Sequence, residues 1–221
     1  MLKGLARGEQ QFGTKARVIL SCLRQRSEWS WDMLRLCEEY KERGVVGIDM
    51  AGDEGLEYES ESFTKSDVEC AVFQAAKEKG IHRTVHACEE GPAICVKKII
   101  FTLRYDSYLT GDVQSLTTSS KRHPILRLAE DEVRFSINSD DPTLTHTRLS
   151  DEYKLFLSWG FTEAHLARAN FQAALHSFLP PEEKKQLIDQ LQQAYGFSHY
   201  SCPLPPPPPL HIRDSFLHSP S

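Results

Sequence analysis

The sequence lacks the features that mark several large classes of protein. It contains no apolar run close to the ~20 residues that a membrane-spanning helix needs. It has no basic excess, because 26 lysines and arginines stand against 31 aspartates and glutamates, for a net charge of −5. A nucleic-acid or anionic-membrane partner requires a basic face, so neither partner is expected. The first residues form no secretory signal, and a cytoplasmic location is expected.

Common metal-binding patterns are missing as well. The 6 cysteines are scattered and form no C-x-x-C pair, so free thiols are expected rather than disulfides. The 221 residues contain no H-E-x-x-H and no H-x-H. A cysteine–histidine zinc cluster around His86, Cys88 and Cys95 is therefore not favoured by the usual spacing rules.

Four strands are predicted from runs of apolar and β-branched side chains. They are expected at residues 16–23, 45–52, 82–87 and 133–142. Helical patterns separate the first three strands, and this alternation predicts an α/β fold. The parallel sheet is expected to be either doubly wound or closed into a barrel, and in both cases functional residues collect at the carboxyl ends of the strands.

Helix start and stop signals lie between the predicted strands. Ser30 is placed to cap the first of these helices, and Gly44 to follow its end. Ser66 and Glu69 form a capping-box pattern at the start of the next helix, which Gly80 would end.

The last part of the chain changes character twice. Three helices are predicted near residues 150–160, 162–179 and 181–196. After them the composition becomes rich in proline, with polyproline II geometry expected for Pro205–Pro209. We expect a folded domain over residues 1–200 and a disordered, proline-rich tail over residues 201–221.

Polar residues end three of the predicted strands. Gly52 follows the second, His86 and Glu89 end the third, and Asp140 with Asp141 ends the fourth. If these ends converge, they supply a metal ligand set and a general acid. The alternatives are that His86 is an ordinary core histidine, that Glu89 is a solvated loop acid, and that the two aspartates cap the following helix.

The spacing of the predicted strands is irregular. The third strand starts near residue 83 and the fourth near residue 133, a step of 50 residues. A (β/α)₈ barrel uses about 30 residues for each strand–helix unit. The stretch between the two strands shows no convincing parallel strand followed by a helix, so part of a barrel is expected to be missing here.

Four segments together carry a family resemblance: GIDMAGDE, TVHACEE, SINSDDP and the helical stretch from FTEAHLARANF to QQAYG. They resemble the adenosine deaminase family over nearly all of residues 8–196. The resemblance implies an amidohydrolase-type (β/α)₈ barrel. It also implies a Zn²⁺ ion, held by three histidines and an aspartate, which activates water for hydrolytic deamination of adenosine or 2′-deoxyadenosine.

The resemblance assigns roles to individual residues of this chain. His86 and Asp140 match two of the zinc ligands. Glu89 matches the acid that protonates the purine N1. Asp141 matches the residue that bonds the purine N7, and Gly52 matches the glycine whose backbone meets the purine N3.

The chain also departs from the family pattern. The H-x-H strand that carries two zinc ligands is absent from these 221 residues, and so is the H-G-x-H segment of the family's sixth strand. Cys88 replaces the glycine of the family's H-A-G-E motif. We therefore expect a partial (β/α)₈ barrel that lacks about the first two strands and the sixth and seventh strand region. Its zinc site is expected to be incomplete, and its catalysis impaired.

Two further functions remain open. The chain is a candidate for a non-catalytic protein that binds a purine nucleoside or associates with an intact deaminase. Its PLPPPPPL segment is also a candidate ligand for modules with aromatic grooves, on compositional grounds alone. Three outcomes distinguish the enzyme, the nucleoside-binding protein and the proline-motif ligand. They are turnover of adenosine, binding without turnover, and peptide binding by residues 201–221.

Overall fold

The structure is a computed structural model that describes residues 1–53, 67–86, 124–130 and 133–196. The chain divides into two compact units, Met1–Ser107 and Tyr108–Ser221. The predicted catalytic residue Glu89, together with Cys88 and the proline-rich tail, lies outside the described residues.

A parallel sheet forms the centre of the first unit. Its strands are β1 (Val18–Leu23), β2 (Val45–Ala51) and β3 (His82–Arg83), in the order β1-β2-β3. Beyond β3 the chain stays attached to β2, because the His86 amide donates to the Met50 carbonyl at 2.9 Å. The predicted α/β class with a parallel sheet is confirmed, and all three strands end at the same edge.

The register of the first two strands separates two faces of the sheet. Cys22 pairs with Met50, and both side chains are buried in the core. Ser21 pairs with Asp49 on the opposite face. β1 is an edge strand of this sheet, and Ile19 on it keeps 41% of its surface exposed.

Three helices accompany the sheet: α1 (Leu2–Phe12), α2 (Ser30–Glu39) and α3 (Asp67–Glu78). The apolar residues of β1 and β2 pack with α2, α3 and the start of β3 because burial removes their surface from water. This first core contains Val18, Cys22, Leu34, Cys37, Val45, Ile48, Met50, Val72, Phe73, Ala76 and Ile81.

The helix between β1 and β2 begins differently from the prediction. Ser30 is its first residue, and Trp29 occupies the capping position without a side-chain hydrogen bond. A 3-10 helix (Arg24–Trp29) runs directly into α2, so the backbone is already turned before Ser30 and no serine cap forms there. The predicted stop is present, since Gly44 has φ of 99° after a second short 3-10 turn.

The thiols of this core are free, as the sequence predicts. Cys22, Cys37 and Cys70 are unpaired cysteines within the described ranges. Burial raises the pKa of Cys22 to about 11 and that of Cys37 to about 12. The Cys37 Sγ lies 3.5 Å from the Gly47 carbonyl, to which it donates. These two cysteines therefore act as small apolar core residues and are poor nucleophiles.

The described part of the second unit is helical. None of the helices within the described ranges combines the length and the apolarity that crossing a membrane requires. The core of this unit combines aliphatic and aromatic side chains, and the Phe156 and Phe161 rings within it lie 4.9 Å apart. The helices are α4 (Pro124–Glu130), α5 (Pro142–Thr145), α6 (Leu149–Ser158), α7 (Glu163–His176) and α8 (Pro181–Tyr195).

The prediction of a fourth strand at residues 133–142 is wrong. Residues 133–140 form neither a helix nor a ladder, and Pro142 begins α5. Ile137 is buried and Phe135 packs beside it, so the apolar signal reports burial in the second core. A strand needs a neighbour to accept its backbone hydrogen bonds, and the described residues of this unit contain none.

Paired isoleucine substitutions test the position of the first core. Ile48→Ala removes a side chain that is 0% exposed, and we expect it to lower the free energy of unfolding by about 2–5 kcal/mol. Ile19→Ala removes the same atoms from a residue 41% exposed, and we expect a loss of about 0.5 kcal/mol. Urea unfolding followed by circular dichroism measures both, and equal losses would contradict this core.

Candidate functional site

Two of the predicted site residues lie together at the carboxyl edge of the sheet. Gly52 directly follows β2, and His86 follows β3. The His86 side chain is 42% exposed, so the imidazole is accessible. The placement agrees with the rule that ligands of parallel sheets bind outside the carboxyl ends of the strands.

A buried carboxylate holds the His86 imidazole. Asp49, on β2, is 2% exposed, and its carboxylate oxygens lie 3.0 and 2.9 Å from His86 Nδ1. The Ser21 hydroxyl donates to Asp49 Oδ2 at 2.6 Å. β1, β2 and the segment that follows β3 thus each contribute one member to a continuous hydrogen-bonded group, which we call the Ser21–Asp49–His86 group.

Asp49 fixes the position of one proton on the His86 imidazole. A carboxylate accepts hydrogen bonds, so Nδ1 of His86 donates to Asp49, and in the neutral imidazole the lone pair is on Nε2. Metal-binding histidines commonly donate their second nitrogen to a carboxylate in this way. The geometry fits both roles of His86, a zinc ligand through Nε2 and a histidine whose polar group is satisfied by Asp49.

The backbone at Gly52 requires glycine. Its φ of 111° lies in a region that other L-residues rarely adopt. A Cβ at this position would lie 2.3 Å from Gln25 Oε1. The chain leaves β2 through this turn. Because Gly52 has no side chain, its backbone lies at the edge of the sheet where His86 also lies.

The second unit contains the two predicted aspartates, Asp140 and Asp141, and both are exposed. Asp140 has φ of 48°, an uncommon left-handed conformation for a residue with a side chain. Asp141 occupies the capping position of α5, but its side chain makes no capping hydrogen bond. Its carbonyl instead accepts from the amides of Leu144 and Thr145, both at 2.9 Å. The alternative that Asp141 serves as a side-chain cap is therefore not supported.

The described residues do not form a complete metal site. Within the described ranges, no group of three or more histidine, cysteine, aspartate or glutamate side chains is arranged to hold a metal ion. His86 belongs to the first unit and Asp140 to the second. The roles assigned to His86, Asp140, Asp141, Gly52 and Glu89 therefore remain predictions.

Sequence reasoning missed three residues of the carboxyl edge: Ser21, Arg24 and Asp49. Arg24 follows β1 and donates to the carbonyl oxygens of Gly52 and His86. A signal for Asp49 was present, because an acid inside the apolar strand VVGIDMA must have hydrogen-bond donors if it is buried. Nothing in the sequence marked Ser21 or Arg24, whose partners lie 28 or more residues away.

Gly52→Ala tests whether the turn after β2 requires glycine. We expect it to lower the free energy of unfolding by about 1–3 kcal/mol, because alanine is strained at this φ and its Cβ meets Gln25. Gly8→Ala is the matched control, since Gly8 lies within α1 and a Cβ added there would meet no heavy atom within 4 Å. We expect this control to stabilise the chain by about 0.5–1 kcal/mol. Urea denaturation distinguishes the opposite signs.

Asp49→Asn tests the state of the imidazole. Asparagine is neutral and offers an NH₂ donor in place of one carboxylate oxygen, so it no longer favours a proton on His86 Nδ1 as the carboxylate does. We expect His86 to change from the Nδ1–H to the Nε2–H tautomer. Imidazole ¹⁵N shifts measured above the histidine titration range report the tautomer. Ser21→Ala keeps the carboxylate and should leave the tautomer unchanged, whereas an Nε2–H tautomer in the parent chain would refute the assignment.

Comparisons with known proteins identify the family. The family model described as Adenosine deaminase matches residues 1–108 and 106–194. The adenosine deaminase of Bos taurus is 37% identical over 226 residues, covering 88% of this chain and 60% of the bovine protein. That of Gallus gallus is 34% identical, with the same coverage of 88% and 60%. The chain thus spans about 60% of the length of these relatives.

Solved structures share the fold at lower identity. An amidohydrolase from Burkholderia ambifaria with bound Zn matches with a TM-score of 0.72 at 18% identity, covering 88% of this chain and 61% of the other. The N6-mAMP deaminase of arabidopsis matches with a TM-score of 0.66 at 20% identity, covering 80% and 59%. These structures support the fold alone, while the family model accounts for most of the sequence. The chain belongs to the adenosine deaminase family.

Proposed function

We propose that this chain binds a purine nucleoside at the carboxyl edge of its sheet, and that the family reaction is strongly impaired in it. That reaction is hydrolytic deamination of adenosine or 2′-deoxyadenosine to the inosine product and ammonia. One observation carries the proposal of impairment. Between His86 and Asp140 the sequence contains a single histidine, His123, and no H-G-x-H segment.

The alignment with a relative supports an internal loss. The bovine alignment runs over 226 positions but uses only 88% of the 221 residues of this chain, so the bovine protein has residues inside the aligned region without a counterpart here. The two stretches matched by the family model meet at residues 106–108. This is where the sequence predicts a jump past the sixth strand, and we propose an incomplete barrel on that basis.

The oriented imidazole supports retention of a binding edge. Asp49 holds Nδ1 of the His86 imidazole, and the Gly52 turn lies at the same edge of the sheet, with its carbonyl bonded to Arg24. The relatives with matched sequences are adenosine deaminases, which makes a purine nucleoside the first ligand to test. In this proposal the Gly52 backbone meets the purine, and Asp141 and Glu89 supply further polar contacts.

The residues that would hold a zinc ion are His86, through Nε2, and Asp140. Such an ion, when bound, would lower the pKa of its bound water and so supply hydroxide for attack on the purine carbon. Catalytic zinc sites use three protein ligands and one open position, whereas these 221 residues contain two of the four ligands that the family uses. We therefore expect these 221 residues to bind zinc weakly.

An absorbance assay for conversion of adenosine to inosine tests the proposed impairment. The purified, zinc-supplemented chain should show no turnover above a no-enzyme control, because the internal H-G-x-H segment, with the histidine that acts on the water, is missing from it. Bovine adenosine deaminase serves as the positive control.

Glu89→Gln separates true turnover from contamination. If the parent chain deaminates adenosine and Glu89→Gln does not, a working site assembles from these residues and the impairment is refuted. Calorimetric titration with purine riboside, which has no amino group to lose, tests the binding half of the proposal. No heat of binding from a folded chain would refute a retained nucleoside site.

A further inference from the structure

One arginine joins the ends of all three strands at the carboxyl edge. Arg24 follows β1 directly, and its Nη1 donates to the Gly52 carbonyl at 3.0 Å. Its Nη2 donates to the His86 carbonyl. The two acceptors belong to residues that follow β2 and β3, so a single guanidinium spans the carboxyl edge of the sheet at the level of the candidate site.

The guanidinium suits this position for a geometric reason. Its nitrogens are coplanar and present several N–H donors in a fixed fork, so two carbonyls are bound with one defined separation between them. A lysine ammonium is a single flexible point of attachment and does not fix two acceptors in this manner.

The two carbonyls lie where the ladder no longer restrains the chain. The last ladder-type bond on this side joins the His86 amide to the Met50 carbonyl at 2.9 Å. At Gly52 the backbone turns away with φ of 111°. Glycine has the least intrinsic restraint of any residue, so an external contact is needed to hold the turn in one conformation.

We propose that Arg24 is a positioning residue that sets the separation and orientation of Gly52 and His86. It acts on the main chain of His86 while Asp49 acts on its side chain, so the imidazole is restrained from two directions. This inference rests on the proposed function in one respect: the proposed function names the ligand that binds at the edge of the sheet that Arg24 organises.

Arg24→Ala, Arg24→Lys and the control Arg17→Ala test the inference. Arg17 precedes the same strand, and its Nη1 contacts the Ala16 carbonyl at the opposite end. Amide hydrogen exchange of Gly52 and His86 is the first measurement because it needs no ligand. We expect about tenfold faster exchange in Arg24→Ala, a smaller increase in Arg24→Lys, and none in the control.

Chemical rescue distinguishes positioning from general stabilisation. Methylguanidinium at non-denaturing millimolar concentration should restore slow exchange in Arg24→Ala and leave Arg17→Ala unaffected. The affinity for zinc, measured by chelator competition, should fall by about tenfold in Arg24→Ala and recover with the same additive. Unchanged exchange at both amides, or faster exchange that methylguanidinium does not reverse, would overturn the role of Arg24.

The design separates the two proposals. If the parent chain binds neither zinc nor purine riboside, the proposed function fails, while exchange and its rescue still decide the role of Arg24. If Arg24→Ala does not fold by circular dichroism, Arg24→Lys decides in its place, since it retains the charge and most of the aliphatic stem. Exchange in Arg24→Lys equal to that of the parent chain would then overturn the inference.

Discussion

A carboxylate buried inside an apolar sheet constrains everything around it. Asp49 is 2% exposed, and a charge removed from water without partners costs several kcal/mol. Its donors come from both sides of β2: the hydroxyl of Ser21 on β1, and the imidazole of His86 in the segment that follows β3. These two hydrogen bonds satisfy the carboxylate and orient the imidazole. The local order of the site is therefore a condition of folding in the first unit.

Pattern reasoning recovers the features that depend on short stretches of sequence. The apolar runs at β1 and β2, the stop at Gly44 and the helices α6, α7 and α8 of the second unit are visible as periodicity or as a single glycine. The placement of Gly52 and His86 at one edge also follows, since parallel strands share a direction. These inferences need no knowledge of which distant residues meet.

The failures have a common physical origin in contacts between distant residues. Residues 133–140 include apolar side chains because part of this segment is buried. The sequence does not reveal whether a partner strand is present beside it. The predicted Ser30 cap was displaced because the preceding turn had already taken a helical path. Ser21 and Arg24 have polar side chains that are ordinary anywhere on a surface, and only the folded sheet shows what they bind. Conversely, the family resemblance identified candidate roles that periodicity alone never assigns.

The exposed position of β1 has a consequence for how the chain behaves while it folds. Its pairing with β2 joins residues that are more than twenty positions apart, and parallel ladders of this kind form slowly. Ile19 and Leu23 are each 41% exposed, and the six residues VILSCL include no charge and no proline. Such a segment has the composition that favours intermolecular strand pairing. The yield of native chain is then set by competition between closing the β1–β2 crossover and self-association, so it should fall as protein concentration rises during refolding.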